Sequence, residues 1–344
     1  MNPRNPDRPT GPGRQTWRVA AAWLLMALVL GGLVAGFVWA QLDHAGTVPG
    51  AALHAGRKVV WAMERLLVDE LLANPFVLAI VAATLVLEFL IPAHGGQRKI
   101  TPTLVNDIVW YVVNGVFQLT VMVFVYVTTI DLFDRYLGFL ILDYAQGWPG
   151  WAKIAVAVLI ADYLRWVTHF VRHKVSVLWH FHTIHHSQPE LNFFTDERQH
   201  PLEFVVRWAI IFLPFLMLGV DVASTTVAVF ALTWFSNFNH ANIRLNFGPL
   251  RNILVSPQYH RIHHSPLAEH RDANFGVVFC FWDRLHGTQC SDAEIYPESG
   301  TGDPDCPVAT RFAPGHQIAT LIRQLAYPFY RVVGAEGPIL PAPD

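Results

Sequence analysis

His169 and His173 stand four residues apart. His182, His185 and His186 form an H-x-x-H-H pattern, and His260, His263 and His264 repeat it. Twelve of the 17 histidines fall between positions 169 and 270. Packing alone has no use for imidazoles at such spacings, whereas a transition-metal site does. Neutral imidazole suits iron, zinc, copper and nickel alike. Eight ring nitrogens exceed the four donors that one zinc ordinarily takes, so the count favours two ions over one.

These spacings work only on helices. Residues three and four apart share a helix face, so each cluster aims two or three rings at one region. The rest of the chain is apolar: 53% of its 344 residues are hydrophobic and 15% are charged, with a mean hydropathy of +0.32. An ordinary soluble protein is more polar. Apolar runs near Trp17–Ala40, Leu72–Ile91, Leu104–Ile130, Trp151–Thr168, Glu203–Val220 and Val222–Phe238 approach the roughly 20 residues that span a bilayer. The first is expected to be an uncleaved anchor, because it exceeds a signal core and no A-x-A site follows it. Arg207 interrupts the fifth, with Glu203 four residues before it as a prospective partner.

Arg4, Arg8, Arg14 and Arg18 place the N-terminal tail inside by the positive-inside rule, and Arg98 and Lys99 mark a second inside loop. Arg57, Lys58 and Arg65 run mildly against this, since their segment would face outside. The expected fold is all-α: a polytopic integral membrane protein of about six transmembrane helices with a cytoplasmic helical histidine-box cap. All three clusters then fall on the cytoplasmic side, with both termini, and the arginine- and alanine-rich composition points to a bacterial inner membrane. The expected divisions are a disordered tail over 1–16, a transmembrane scaffold over 17–150, a metal-binding domain over 151–290 and a cytoplasmic tail over 291–344. The stretch His316–Val333 has helical apolar spacing suited to the membrane surface or to covering the metal site. A net charge of −2 offers nothing to nucleic acid. Cys280, Cys290 and Cys306 make no C-x-x-C pair, and no disulfide framework is expected.

Four stretches carry a resemblance. Asp162 to His173 reads D-Y-L-R-W-V-T-H-F-V-R-H, Leu178 to Ser187 reads L-W-H-F-H-T-I-H-H-S, and Ser256 to Ser265 reads S-P-Q-Y-H-R-I-H-H-S. Asn274-Phe-Gly and Trp282-Asp-Arg-Leu-His-Gly-Thr follow. Together they resemble the fatty acid hydroxylase superfamily, also called the sterol desaturase family. The resemblance implies an integral-membrane, non-haem di-iron oxidoreductase that uses O2 and two external electrons to hydroxylate or desaturate a C–H bond of a lipid. Carried over box by box, the ligands are His169, His173, His182, His185, His186, His260, His263 and His264, with His240 at the further ligand position between the second and third boxes. His286 stands where the family usually has an aromatic residue before the closing Gly-Thr, which makes it a local variant rather than a ligand.

Metal-bound histidines usually donate their other ring N–H to a carboxylate or carbonyl. Asp162, two helical turns before His169, is the expected acceptor, with Asp283 and Asp272 behind it. Asn274 either bonds a ligand or makes the turn before Gly276. His180 and His200 are expected near the site but outside it, and His270 at the surface. The chain holds no C-x-x-C-H haem attachment, iron–sulfur cysteine spacing or G-x-G-x-x-G fingerprint. A separate ferredoxin, rubredoxin or cytochrome with its reductase is therefore a required partner, beside the lipid substrate. Zinc fits the same imidazoles, so the alternative is a zinc-dependent membrane hydrolase, against which stands the absence of a glutamate inside any box. A metal transporter is disfavoured because such sites lie at the bilayer midplane.

Overall fold

The computed structural model describes residues 75–290, 292 and 294–334, with three isolated positions at 20, 21 and 24. The first expected span, the tail over 1–16 and the segment 45–71 lie outside the described residues. Among those described, regular structure is entirely helical, apart from two isolated bridges, Pro92 with Ile243 and Leu254 with Phe279.

Helix α1 covers Pro75–Leu90 and α2 covers Pro102–Leu132. Thr101 caps α2 by accepting from the Leu104 amide at 3.1 Å, with Pro102 at the first helical position, where its missing N–H costs nothing. Helix α3 (Gly150–Lys174) and helix α4 (Ser176–His186) are separated only by Val175 in an extended conformation. That single residue ends one helix and starts the next, folding the first histidine pair against the second cluster. Helix α5 (Pro201–Met217) opens on Pro201 with His200 as its cap, and α6 (Val222–His240) opens on Asp221, which accepts from the Ser224 amide at 2.9 Å. Short helices α7 (Pro257–His263) and α8 (Phe281–His286) follow, and α9 (Pro314–Val332) closes the described chain.

The main core lies where α3, α5 and α6 meet. Phe204, Trp208, Ile211, Phe212 and Phe215 of α5 pack on Ala157 and Ala161 of α3 and on Ala228, Val229 and Leu232 of α6. Alanines on α3 let the large α5 rings approach its backbone closely. A second cluster sets Tyr327, Phe329 and Tyr330 of α9 against Trp110 of α2 and Ile184 of α4. The stretch expected at the membrane surface or over the metal site thus packs one face on α4.

The segment joining α4 to α5 is tied down by one carboxylate. Asp107 of α2 accepts from Gln188, from Asn192 and Thr195 at 2.8 Å each, and from Arg198 at 3.1 Å. Among the described residues, one helix, Gly150–Lys174, is both long and apolar enough to cross a membrane. The other expected spans that fall on described residues form helices, but α5 is 17 residues long and carries buried Glu203 and Arg207, and α6 carries buried Thr225, Thr226, Ser236, Asn237 and Asn239. Those polar residues face the interior, which lowers the apolar signal of these helices without exposing polar groups outward.

Candidate metal centre

The helical period divides the boxes between two foci. Within H-x-x-H-H, the first and last residues differ by about 40° around the axis, and the middle one departs by about 100° from the last. His182 and His186 accordingly join His169, His173 and His263 in one group, while His185 joins His240, His260 and His264 in another. The third box is dealt the opposite way: its middle histidine goes to the first group and its outer pair to the second. In each group the candidate ligand atoms lie within 4.8 Å of one another, and every ring except that of His173 is buried.

Four of the nine rings turn Nδ1 outward to an acceptor and so free Nε2 of its proton. His169 Nδ1 donates to the Phe275 carbonyl at 3.0 Å, His263 Nδ1 to the Ala273 carbonyl at 2.8 Å and His240 Nδ1 to the Ser236 carbonyl at 2.7 Å. His182 Nδ1 donates to Glu203 Oε1 at 3.1 Å. These acceptors fix the tautomer, so the Nε2 atoms present lone pairs inward. The Nε2 atoms of His169, His182 and His263 are buried with no hydrogen-bond partner. His173 and His186 bring Nε2 atoms to 3.2 Å, His185 and His240 to 3.0 Å, His240 and His260 to 2.9 Å, and His260 and His264 to 3.2 Å. Donors held about 2.0–2.1 Å from one ion in a compact shell lie roughly 3 Å apart. The donor set therefore fits a cation at each focus.

Burial, reinforced by neighbouring imidazoles, holds His182, His185, His186, His260 and His264 well below the ordinary histidine range; burial does the same to His263. These rings are neutral near pH 7, the form a metal requires.

The expected supporting carboxylates are placed differently. Asp162 accepts from the amides of Val278 and Phe279 at 3.0 and 3.1 Å and from Trp282 Nε1 at 3.0 Å, and touches no histidine. Asp283 accepts from Trp166 Nε1 and the Phe275 amide on one oxygen, at 2.8 and 2.9 Å, and from Tyr259 and the Gly276 amide on the other, at 2.9 and 2.8 Å. Both act one step out, by fixing the segment whose carbonyls orient His169 and His263. Asn274 makes the turn at φ 61°, donating to the Tyr259 carbonyl at 3.0 Å and accepting from the Cys290 amide at 2.8 Å. Asp272 lies 3.7 Å from His173 Nδ1 and pairs with Lys174 at 2.7 Å.

Asp272 thus stands beside a histidine, as expected, and two further carboxylates meet histidines for which spacing does not mark them. Glu203 contacts His182 and lies 3.4 Å from Arg172, rather than pairing with Arg207. Asp196 comes within 3.6 Å of His240 Nδ1. Each sits far along the chain from its partner, so only the fold brings them together. Of the outlying histidines, His200 is buried between Phe181 and Phe329 as a helix cap. His270 is buried against Ser265 at 2.9 Å rather than exposed. His286 stacks on Trp166 with ring centres 4.2 Å apart, an aromatic platform away from both foci.

A cavity of about 40 Å³ adjoins both groups, bounded by His169 and His182 of one and His185, His240 and His260 of the other. It holds about three waters at one probe sphere each.

Residues 154–288 match the fatty acid hydroxylase family. The chain is 28% identical to an ornithine lipid hydroxylase from Rhizobium tropici over 185 residues, 54% of this chain and 52% of the relative. It is 31% identical to alkylglycerol monooxygenase from Homo sapiens over 132 residues, 38% of this chain and 29% of the relative. The corresponding protein of Danio rerio is 30% identical over 160 residues, 46% and 34% of the two chains. The chain thus spans about half or less of the length of these curated relatives. No solved structure matches it.

Proposed function

Residues 154–288 are a fatty acid hydroxylase domain, and from that premise we propose that the chain is a membrane-embedded, non-haem di-iron oxygenase that hydroxylates, or desaturates, a C–H bond of a lipid. The observation that carries this reading is the pair of imidazole foci, five rings and four, with the candidate ligand atoms of each within 4.8 Å of one another. Iron bound there supplies the reduction of O2 and the attack on an unactivated C–H, using two electrons from a separate ferredoxin, rubredoxin or cytochrome with its reductase. Zinc is accommodated by the same donors as an inactive substitute.

The chain's own residues do three things. The nine histidines hold the ions, His240 among them. The carbonyls of Ala273, Phe275 and Ser236 and the carboxylate of Glu203 fix ring orientation through Nδ1. Helices α3, α5 and α6 enclose the adjoining cavity and keep bulk water from it. The hydrolase alternative needs a carboxylate beside the ions as general base. Glu203 engages His182 at Nδ1, away from the foci, which disfavours it; Asp196 engages His240 at Nδ1 as well and is the carboxylate that also lines the adjoining cavity.

The membrane reading draws on α3, and on α2, which at 31 residues is about 46 Å long. With the arginine-bearing segments inside, the boxes and both termini face the cytoplasm of a bacterial cell. Anaerobic purification followed by metal analysis and Mössbauer spectroscopy on iron-57 tests the centre. Two coupled irons per chain, lost together in His185→Ala and His263→Ala, are expected. Zinc alone, with no O2-dependent activity after iron reconstitution, would move the assignment to the hydrolase. Lipidomics of a deletion strain then seeks species differing by one oxygen or two hydrogens.

A further inference from the structure

The cavity beside the histidines is lined on its remaining side by three arginines: Arg165 and Arg172 from α3 and Arg207 from α5. Arg165 and Arg207 are 7% and 6% exposed, in the interior of a domain whose chemistry is directed at hydrocarbon. A buried guanidinium without an anion is costly, and such groups are normally paired. Arg172 has a partner in Glu203 at 3.4 Å, yet its Nη2 has none. Arg207 reaches only the Gln199 side-chain oxygen, at 3.5 Å, and its Nη2 is likewise unpartnered. Arg165 spends one nitrogen on the Leu232 carbonyl at 3.2 Å. Among the described residues, neither Arg165 nor Arg207 has a carboxylate within 4.0 Å.

The nearby acids offset this charge only in part. Glu203 already serves Arg172 and His182. Asp196 lines the same cavity, accepts from Ser236 at 2.9 Å on one oxygen and leaves the other buried without a partner, one carboxylate against three guanidinium groups. The nine imidazoles bring no negative charge of their own, so cations at the foci would leave the cavity more positive still.

We propose that this cavity is an oxyanion subsite, in which Arg165, Arg172 and Arg207 bind the carboxylate of an anionic lipid next to the metal centre. A carboxylate has three heavy atoms and matches the room available, and guanidinium forks suit its two oxygens. A charge anchored there places the C–H bonds nearest the headgroup against the foci, instead of those in the middle of a long chain. The proposal deepens the oxygenase reading and rests on it for the chemistry, but its binding step needs no turnover.

Calorimetric titration of octanoate, octyl phosphate and octan-1-ol into the full-length iron-loaded protein in nonionic detergent tests it. Octanoate is expected to bind at least about tenfold more tightly than octan-1-ol and to lose at least about tenfold in Arg207→Gln. Arg207→Lys, which keeps the charge but not the fork, is expected to fall between the parent and Arg207→Gln. Metal content per chain reports whether each variant is folded. Equal affinity for octanoate and octan-1-ol overturns the proposal, as does octanoate binding unchanged in Arg207→Gln or lost equally in both variants. A preference for octyl phosphate overturns the carboxylate assignment. The same titrations on zinc-loaded protein separate the two claims: selective octanoate binding there leaves the arginine subsite standing even if no oxygenase activity is found.

Discussion

Glu203 meets two groups at once, the Nδ1 of His182 and the guanidinium of Arg172, while buried within α5. Removing it frees the His182 ring to rotate and leaves Arg172 without its anion. Glu203→Ala is therefore expected to weaken metal retention about 10–100-fold, the usual effect of losing an outer-shell acceptor. Competition with a chelator measures it, and Glu203→Gln, which keeps an acceptor oxygen, should recover part of the loss. Full retention of metal in Glu203→Ala would remove this residue from the centre's support. His286→Phe serves as the contrast: the ring stacks on Trp166 and meets the Tyr163 hydroxyl at 3.3 Å but belongs to neither focus, so metal content should not change. Acid acts on the same scale. Six box histidines have folded-state pKa values pushed below the ordinary range near 6.5 by burial. Below about pH 6.5 the unfolded chain binds protons that the folded one refuses, so stability and metal occupancy fall as pH drops. Thermal melts of metal-free protein from pH 8 to pH 5 should show a falling midpoint; a flat profile would mean that these rings take up protons as readily in the folded chain as in the unfolded one. The histidine spacings were readable because ligand pairs sit within one helical turn. Glu203 and Asp196 were not, because each reaches its histidine from 21 and 44 residues away, through helix packing that no local pattern encodes.

At the scale of elements, the segment 273–288 does for the centre what no single ligand can. It carries the carbonyls that hold His263 and His169, and it is pinned from α3 by Asp162 and from within α8 by Asp283. Gly276 sits where this segment is tightest: a Cβ there would lie 2.8 Å from the Phe279 carbonyl oxygen and 2.9 Å from Asp283 Oδ2. Gly276→Ala must displace the loop, at a cost of about 1–3 kcal/mol for overpacking. Because the Phe275 carbonyl moves with it, the group holding His169 should lose metal before the other. One iron retained per chain, seen by metal analysis, is the expected outcome; unchanged occupancy would show that the loop yields without disturbing His169. The likeness of the Asn274 and Trp282 stretches to a known signature marked this segment. Its mode of action was hidden, since Asp162 and Asp283 look like partners for histidines in sequence but spend their oxygens on backbone amides and indoles. The segment joining α4 to α5 depends on the Arg198–Asp107 pair, both side chains fully buried. Asp107→Ala leaves that guanidinium uncompensated and should cost about 3–5 kcal/mol, measurable as a lowered melting temperature.

The whole molecule has two ends, and α3 measures the distance between them. Trp151 at its start is 74% exposed, and Tyr136, Phe139 and Tyr144 nearby are exposed as well. Large exposed aromatic rings suit the boundary between headgroups and hydrocarbon, where amphipathic rings settle. His169 lies 18 residues further along the same helix, about 27 Å at 1.5 Å per residue, close to the roughly 30 Å of a hydrocarbon core. On the proposed membrane reading, the histidines sit at the opposite boundary, beside Arg172 and Lys174. Apolar runs in the sequence marked the helices that build this arrangement. They did not reveal that α5 and α6 turn polar residues inward, nor that α5 stops at 17 residues, so that among the described residues α3 alone is both long and apolar enough to span. The depth of Trp151 decides the matter. In bilayers containing lipids brominated near the headgroup, fluorescence specific to Trp151, isolated by comparison with Trp151→Phe, should be quenched more strongly than in lipids brominated near the chain terminus. Quenching by an aqueous quencher instead, with neither lipid effective, would put this end of α3 outside the membrane. The histidine centre would then need a different route to a lipid C–H bond.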